Sequence, residues 1–346
     1  MRREVLMSHR SLRLVTVAVG VWIAPMLVSP VSAQTRRSPT TAAVKKWTPP
    51  RTPWGDPDLQ GSFSNTSENG TPLERPEIFE GRKLEDIKGE ELVAIKREAQ
   101  KRTVENFQGP LHAPDGWWQP DLNMTKGSQA WLIVDPPNGK IPPLTPEATQ
   151  RAAARAAARR NSGRGPADSW EDRSLYDRCI TRGLPGSMMP AIYGNSYQIL
   201  QAPGYVTIVY EMIHEIRVIP LDGRPHAAPN VRSYMGDARG HWEGDTLVVE
   251  TTNFRDEGIY RNANPATLRV VERFTRTGSD TVKWSVTIND PATWTAPWTF
   301  SMPLTKEEGP VLEYACHEGN LGLMNILSVA RAEEKATEEA AKNNGK

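Results

Sequence analysis

From Tyr197 to Cys316 the chain is a succession of short β-rich runs, each ended by a turn signal and none followed by a helix. The runs are Tyr197–Gln201, Tyr205–Tyr210, Glu215–Leu221, Arg239–Trp242, Thr246–Phe254, Leu268–Thr277, Thr281–Asn289, Trp298–Leu304 and Val311–Cys316. Ala-Pro-Gly at 202–204, Asp222-Gly223, Gly244-Asp245, Thr277-Gly278-Ser279-Asp280 and Glu308-Gly309-Pro310 separate them. Strands at this spacing with no helix between them specify an antiparallel meander. With a further strand at Trp131–Val134, nine or ten strands are available. That is enough to close a small up-and-down barrel whose interior is filled by side chains or holds a ligand. A two-sheet β-sandwich built from the same strands is the alternative fold.

The rest of the chain divides around this β domain, taken as 196–320. Arg2, Arg3, Arg10 and Arg13 precede an apolar run from Leu14 to Val31, which ends on Val31-Ser32-Ala33. This is the layout of a secretory signal over 1–33, cut after Ala33, and it places the mature protein in the periplasm or outside the cell. No later stretch is apolar enough to span a bilayer, so no stable membrane anchor is expected after cleavage. Residues 34–83 form a Pro-rich extended arm with Trp47 and Trp54 as its large apolar anchors. Residues 84–195 form a helical and loop segment with one strand. Leu84, Ile87, Leu92, Ile95 and Val104 recur at helical spacing up to Phe107, weakened or broken near the start by Gly89. The Ala/Arg run at 146–160 reads as an exposed helix within an insertion, and a short helix is expected around Trp170 to Cys179. A C-terminal helix begins at about Leu321 and runs into a charged tail, 321–346.

Charge excludes one class of partner. Removing the signal takes four basic residues from 42 and one acidic residue from 41, leaving 38 against 40, a balance of −2. A nucleic-acid partner would call for a strongly basic face, and none is indicated. Cys179 and Cys316 are the only cysteines, and in an oxidising compartment they most simply pair. Such a bridge closes a long loop and is worth about 4–5 kcal/mol in the entropic model.

Strand alternation sorts side chains by face. Tyr210 shares a parity with Val206 and Ile208, and His214 joins them if the extended conformation continues. Glu272 falls with Leu268, Val270 and Phe274, and Glu250 with Val248 and Phe254. His214 with Glu250 or Glu272 is therefore a candidate acid–base pair on an apolar wall, with Tyr210 or Arg217 stabilising negative charge. The competing expectation is that the two glutamates pair with Arg217, Arg269 or Arg273 on neighbouring strands and that His214 caps a hairpin. Trp117, Trp118, His241 and Trp242 are candidate ligand contacts, since their rings either stack on a guest or plug the core. His112, His214, His226 and His241 match no compact metal-ligand spacing, so no metal is expected. Neither Gly-x-Ser-x-Gly, a phosphate loop nor a dinucleotide fingerprint occurs, and no cofactor is expected.

Four longer stretches carry a resemblance. Trp54-Gly-Asp-Pro-Asp-Leu-Gln-Gly61, Tyr210-Glu-Met-Ile-His-Glu-Ile-Arg217, Arg239-Gly-His-Trp-Glu-Gly-Asp-Thr-Leu-Val-Val-Glu-Thr-Thr-Asn-Phe254 and Tyr314-Ala-Cys-His-Glu-Gly-Asn320 resemble the hallmark stretches of a large family of exported, mostly uncharacterised bacterial proteins. The resemblance implies a common fold and brings with it no catalytic residue. A looser likeness, of architecture alone, is to lipocalin-type (calycin) barrels. Together these readings lead to a barrel that binds a small, partly apolar or aromatic molecule inside. The alternatives are a cofactor-free lyase, isomerase or hydrolase on the same scaffold, and a structural or interaction protein.

Overall fold

The computed structural model describes residues 47–107, 127–191 and 194–344. Ten strands form one sheet: β1 (Gly61–Ser64), β2 (Ile133–Asp135), β3 (Ser196–Ala202), β4 (Tyr205–Tyr210), β5 (Ile216–Pro220), β6 (Asp237–Glu243), β7 (Thr246–Thr252), β8 (Arg269–Gly278), β9 (Thr281–Asn289) and β10 (Trp298–Lys306). Three helices, α1 (Gly89–Phe107), α2 (Pro146–Asn161) and α3 (Leu321–Asn344), lie outside it.

Nine strands follow one another in the hydrogen-bonded order β5-β4-β3-β1-β10-β9-β8-β7-β6, and β2 adds to β10. Every ladder is antiparallel. The sheet curls until β5 and β6 lie side by side, giving a nearly closed barrel rather than two stacked sheets. No ladder joins β5 to β6 among the described residues, so side chains close that seam. Gly240 on β6 makes the approach possible: a Cβ there would come within 2.6 Å of Leu221 Cδ2 and 2.8 Å of Ile219 Cγ2. At the β3–β4 turn, Pro203 is followed by Gly204 at φ +80°, the conformation a tight turn needs at that position and which a residue with a Cβ resists.

Register stacks the inward residues in layers. Trp242, Leu247, Phe274, Trp284 and Met302 are linked across β6 to β10, and Gly240, Val249, Glu272, Val286 and Phe300 form the next layer. Ala238, Thr251, Val270, Ile288 and Trp298 follow. The opposite wall supplies Phe63, Tyr197, Ile199, Val206, Ile208, Tyr210 and Ile219. Phe274, Trp284, Phe300, Trp298 and Trp294 run as a chain of rings with successive centroids 6.5, 5.6, 6.0 and 5.8 Å apart. Large buried side chains thus fill much of the barrel, as a barrel of this strand number allows.

The segments outside the barrel follow their local chemistry. Thr145 caps α2 by accepting from the Ala148 amide at 3.0 Å, with Pro146 in the first turn. Arg151 ties that helix to Thr293 Oγ1 at 2.7 Å. Below α1, Phe79, Ile87, Ala130 and Trp131 form a satellite core, and the buried Lys96 donates to Glu68 Oε2 at 3.1 Å.

The structure departs from the sequence reading in three places. The Pro-rich arm contains β1, which sits between β3 and β10, and the arm is fixed by Leu59 and Arg51, while Trp47 and Trp54 are more than a third exposed. Val311–Cys316 is not a strand, because the chain turns away from the sheet after Lys306. Trp170–Asp172 is a single 3-10 turn, stopped at Arg173 in extended conformation. Gly89 breaks the periodicity that began at Leu84, as its place in the sequence suggested: at φ +60° it is where helix α1 starts.

Candidate functional site

Two strand residues carry charge into the barrel. Arg217 on β5 is 4% exposed and Glu272 on β8 is 0% exposed. Arg217 Nη1 donates to Glu272 Oε2 at 2.6 Å and Nη2 donates to Oε1 at 3.1 Å, a bidentate pair that crosses the interior. Trp284 Nε1 on β9 adds a third donor to Glu272 Oε1 at 3.1 Å. Burial works against the Arg217 charge, but the Glu272 carboxylate outweighs it and holds the guanidinium above its ordinary value. Tyr210 sits diagonally from Arg217 on the adjacent strand, since Ile208 is the register partner of Arg217. Burial pushes the Tyr210 hydroxyl well above the usual phenol range, so it remains a proton donor.

Several interior polar atoms have no partner. Tyr210 Oη, Arg217 Nε, Trp242 Nε1, Thr251 Oγ1 and Trp298 Nε1 are all shielded from solvent, with no partner among the described residues. Each buried donor left unmet costs about 1–3 kcal/mol. Five of the nine such atoms lie on inward barrel positions, which makes the barrel interior the candidate site.

One end of this interior is closed by the segment 181–189. Leu184 and Met188 enter the barrel core, and Asn65 Nδ2 donates to the Met188 carbonyl at 2.7 Å. Glu215 accepts from Thr181 Oγ1 at 2.7 Å and from Ser187 Oγ at 3.0 Å. Burial pushes the Glu215 carboxyl above its ordinary value, with those two hydroxyl bonds working the other way. The Tyr210 amide donates to the Glu215 carbonyl, so the stopper is anchored beside the polar cluster. The Cys179–Cys316 disulfide, with Cα atoms 5.7 Å apart, secures the start of this segment to the chain after β10.

The residues singled out in the sequence separate into two groups. Tyr210, Arg217, Glu272 and Trp242 face the interior. His214 does not: Met212–His214 is a 3-10 turn with Ile213 at φ 61° and His214 at φ 43°. That turn breaks the extended run and reverses the parity after it, leaving Ile216 and Val218 63% and 54% exposed and Arg217 inside. His214 lies at the surface against the Tyr314 carbonyl at 3.3 Å. Glu250 is on the outer face of β7, where Arg269 donates to it at 2.8 Å and His226 Nε2 lies 3.2 Å away. His226 Nδ1 is also 3.0 Å from Asp237 Oδ2, a bracket the spacing had not indicated. His241 is exposed beside Glu243. Trp117, Trp118 and His112 lie outside the described residues.

Glu215 was missed, and Trp284, one of several tryptophans that could plug the core or stack on a ring, was not tied to Glu272, although it shares the inward parity of Val282 and Val286. Among the described residues no group of three His, Cys, Asp or Glu could hold a metal ion. A surface groove of about 820 Å³ runs between Gly165–Asp168 and α3, and it shares no residue with the interior cluster. No helix of the described residues is long and apolar enough to cross a membrane.

No family model matches the chain, and no curated protein does. Among solved structures, the crystal structure of a mutant of the fluorescent protein UnaG is similar at 12% identity, over 39% of this chain and 86% of that one, with a TM-score of 0.22.

Proposed function

We propose that the barrel interior binds a small, partly apolar or aromatic molecule. The observation that supports this most is the set of inward N–H and O–H groups, headed by Tyr210 Oη and Arg217 Nε, that are shielded from water and have no partner. A guest that meets them relieves a standing cost, and the rings of Trp242, Phe274 and Trp284 supply apolar contact of the kind small-molecule sites use. The segment 181–189 is the natural point of entry, because polar bonds to Glu215 and Asn65 hold it rather than a strand ladder. The disulfide fits an oxidising compartment, in keeping with export. The acid–base alternative loses its specific pair, since His214 meets neither Glu250 nor Glu272.

Native mass spectrometry of the purified protein tests this reading, together with tryptophan emission during titration with small aromatic molecules. A retained small molecule, or a saturable emission change that Trp242→Phe diminishes, is the expected result. An empty protein with no emission response to any of them would rule the reading out.

A further inference from the structure

We infer that the guest is an uncharged aryl molecule presenting a carbonyl-type hydrogen-bond acceptor to Tyr210 Oη and Arg217 Nε. This deepens the interior-binding reading and rests on it. The unmet interior atoms are of one chemical kind. Arg217 Nε, Trp242 Nε1 and Trp298 Nε1 are obligate donors, and Tyr210 Oη and Thr251 Oγ1 are hydroxyls able to donate. The inward carboxylate, Glu272, is already engaged by Arg217 and Trp284. The interior is therefore short of acceptors, and a complementary guest supplies them.

Charge narrows the class. Arg217 and Glu272 are the only charged side chains among the buried residues of the barrel strands, and they neutralise one another; Arg182 Nη1, in the segment that closes one end, is a further buried nitrogen without a partner among the described residues. A carboxylate guest at Tyr210 would meet a guanidinium whose charge Glu272 already offsets, and a cationic guest would find hydroxyl oxygens but no free carboxylate. A neutral acceptor avoids both penalties. The burial that keeps Tyr210 protonated preserves it as a donor to that acceptor. The ring chain through Phe274 and Trp284 next to Glu272 favours an aryl body over an aliphatic one.

Three probes of similar size separate the possibilities: acetophenone, ethylbenzene and benzoate, each titrated into the full-length protein and followed by calorimetry and tryptophan emission. The expected result is that acetophenone binds at least about tenfold tighter than either of the others, the discrimination one well-met buried hydrogen bond supplies. Tyr210→Phe removes a hydroxyl that has no protein partner and leaves the fold intact, and it is expected to abolish most of the preference for acetophenone over ethylbenzene. Its thermal transition, measured alongside, reports folding directly. Equal binding of acetophenone and ethylbenzene, or tightest binding of benzoate, would overturn the assignment of chemistry while leaving interior binding standing. An unchanged acetophenone preference in folded Tyr210→Phe would overturn it as well. Failure of all three probes to bind would count against both readings.

Discussion

Arg217 and Glu272 illustrate how little a buried ion pair says about stability until one partner is removed. Their mutual attraction largely offsets the cost of taking two charges out of water, so the intact pair is close to neutral. Glu272→Gln leaves the guanidinium buried without its counter-charge, and an urea titration is expected to show a loss of about 3–5 kcal/mol. Replacing both, Arg217→Met with Glu272→Leu, is expected to recover most of that loss, and a double mutant no more stable than Glu272→Gln would contradict the account. Glu215 makes a different kind of prediction. Its folded value is raised above the ordinary 4.5 by burial. A carboxyl raised on folding contributes stability that is complete below its unfolded value and is lost as pH rises through the folded one. Wild type is therefore expected to lose stability relative to Glu215→Gln as pH rises above 4.5, measured by chemical denaturation at pH values on either side of that point. A difference between the two proteins that stays flat with pH would remove burial as the cause.

At the level of elements, the seam between β5 and β6 is the most sensitive place in the barrel. Gly240→Ala forces a Cβ against Leu221 and Ile219, and its unfolding free energy is expected to fall by about 1–3 kcal/mol. An alanine variant as stable as wild type would mean that side-chain packing does not close the seam. Most strands could be read from the chain because alternation and turn residues agree: Tyr205–Tyr210 and Thr281–Asn289 stand as expected, and the bounds of the other strands so read differ by a residue or two. β1 could not be read. It has four residues and one large apolar side chain, Phe63, so it lacks the run of alternating residues that marks a strand, and its extended form comes from pairing with β3 and β10. The site was half legible for a related reason. Glu272 and Tyr210 lie inside unbroken strands, where parity holds, whereas His214 lies in a turn whose positive-φ residues no alternation pattern can anticipate. Val311–Cys316 failed in the opposite sense: β-forming residues there join no ladder, and the disulfide to Cys179 holds the segment's end instead.

For the molecule as a whole, the two cysteines join segments that belong to neither wall of the barrel. Cys179 precedes the stopper and Cys316 precedes α3, 137 positions later. A bridge over so long a loop restricts the unfolded chain strongly, and reduction is expected to lower stability by about 4–5 kcal/mol in the entropic model. Denaturation midpoints with and without reductant, each checked for free thiols, give the answer; coincident midpoints would mean the reduced chain stays restrained by other contacts. The placement of β1 bears on when the barrel forms. The hairpins β3–β4–β5 and β6 through β10 are local and can assemble soon after each is made. The piece that unites them is not local: Thr305 Oγ1 on β10 donates to the Ser64 carbonyl on β1 across 241 positions. Loop-closure entropy has to be met before that contact gives anything back, which disfavours forming it early. A chain emerging from the ribosome thus presents β1 early, holds it unpaired until β3 is made and leaves its other edge open until β10 arrives, so the earliest strand to exist is among the last to be fully seated.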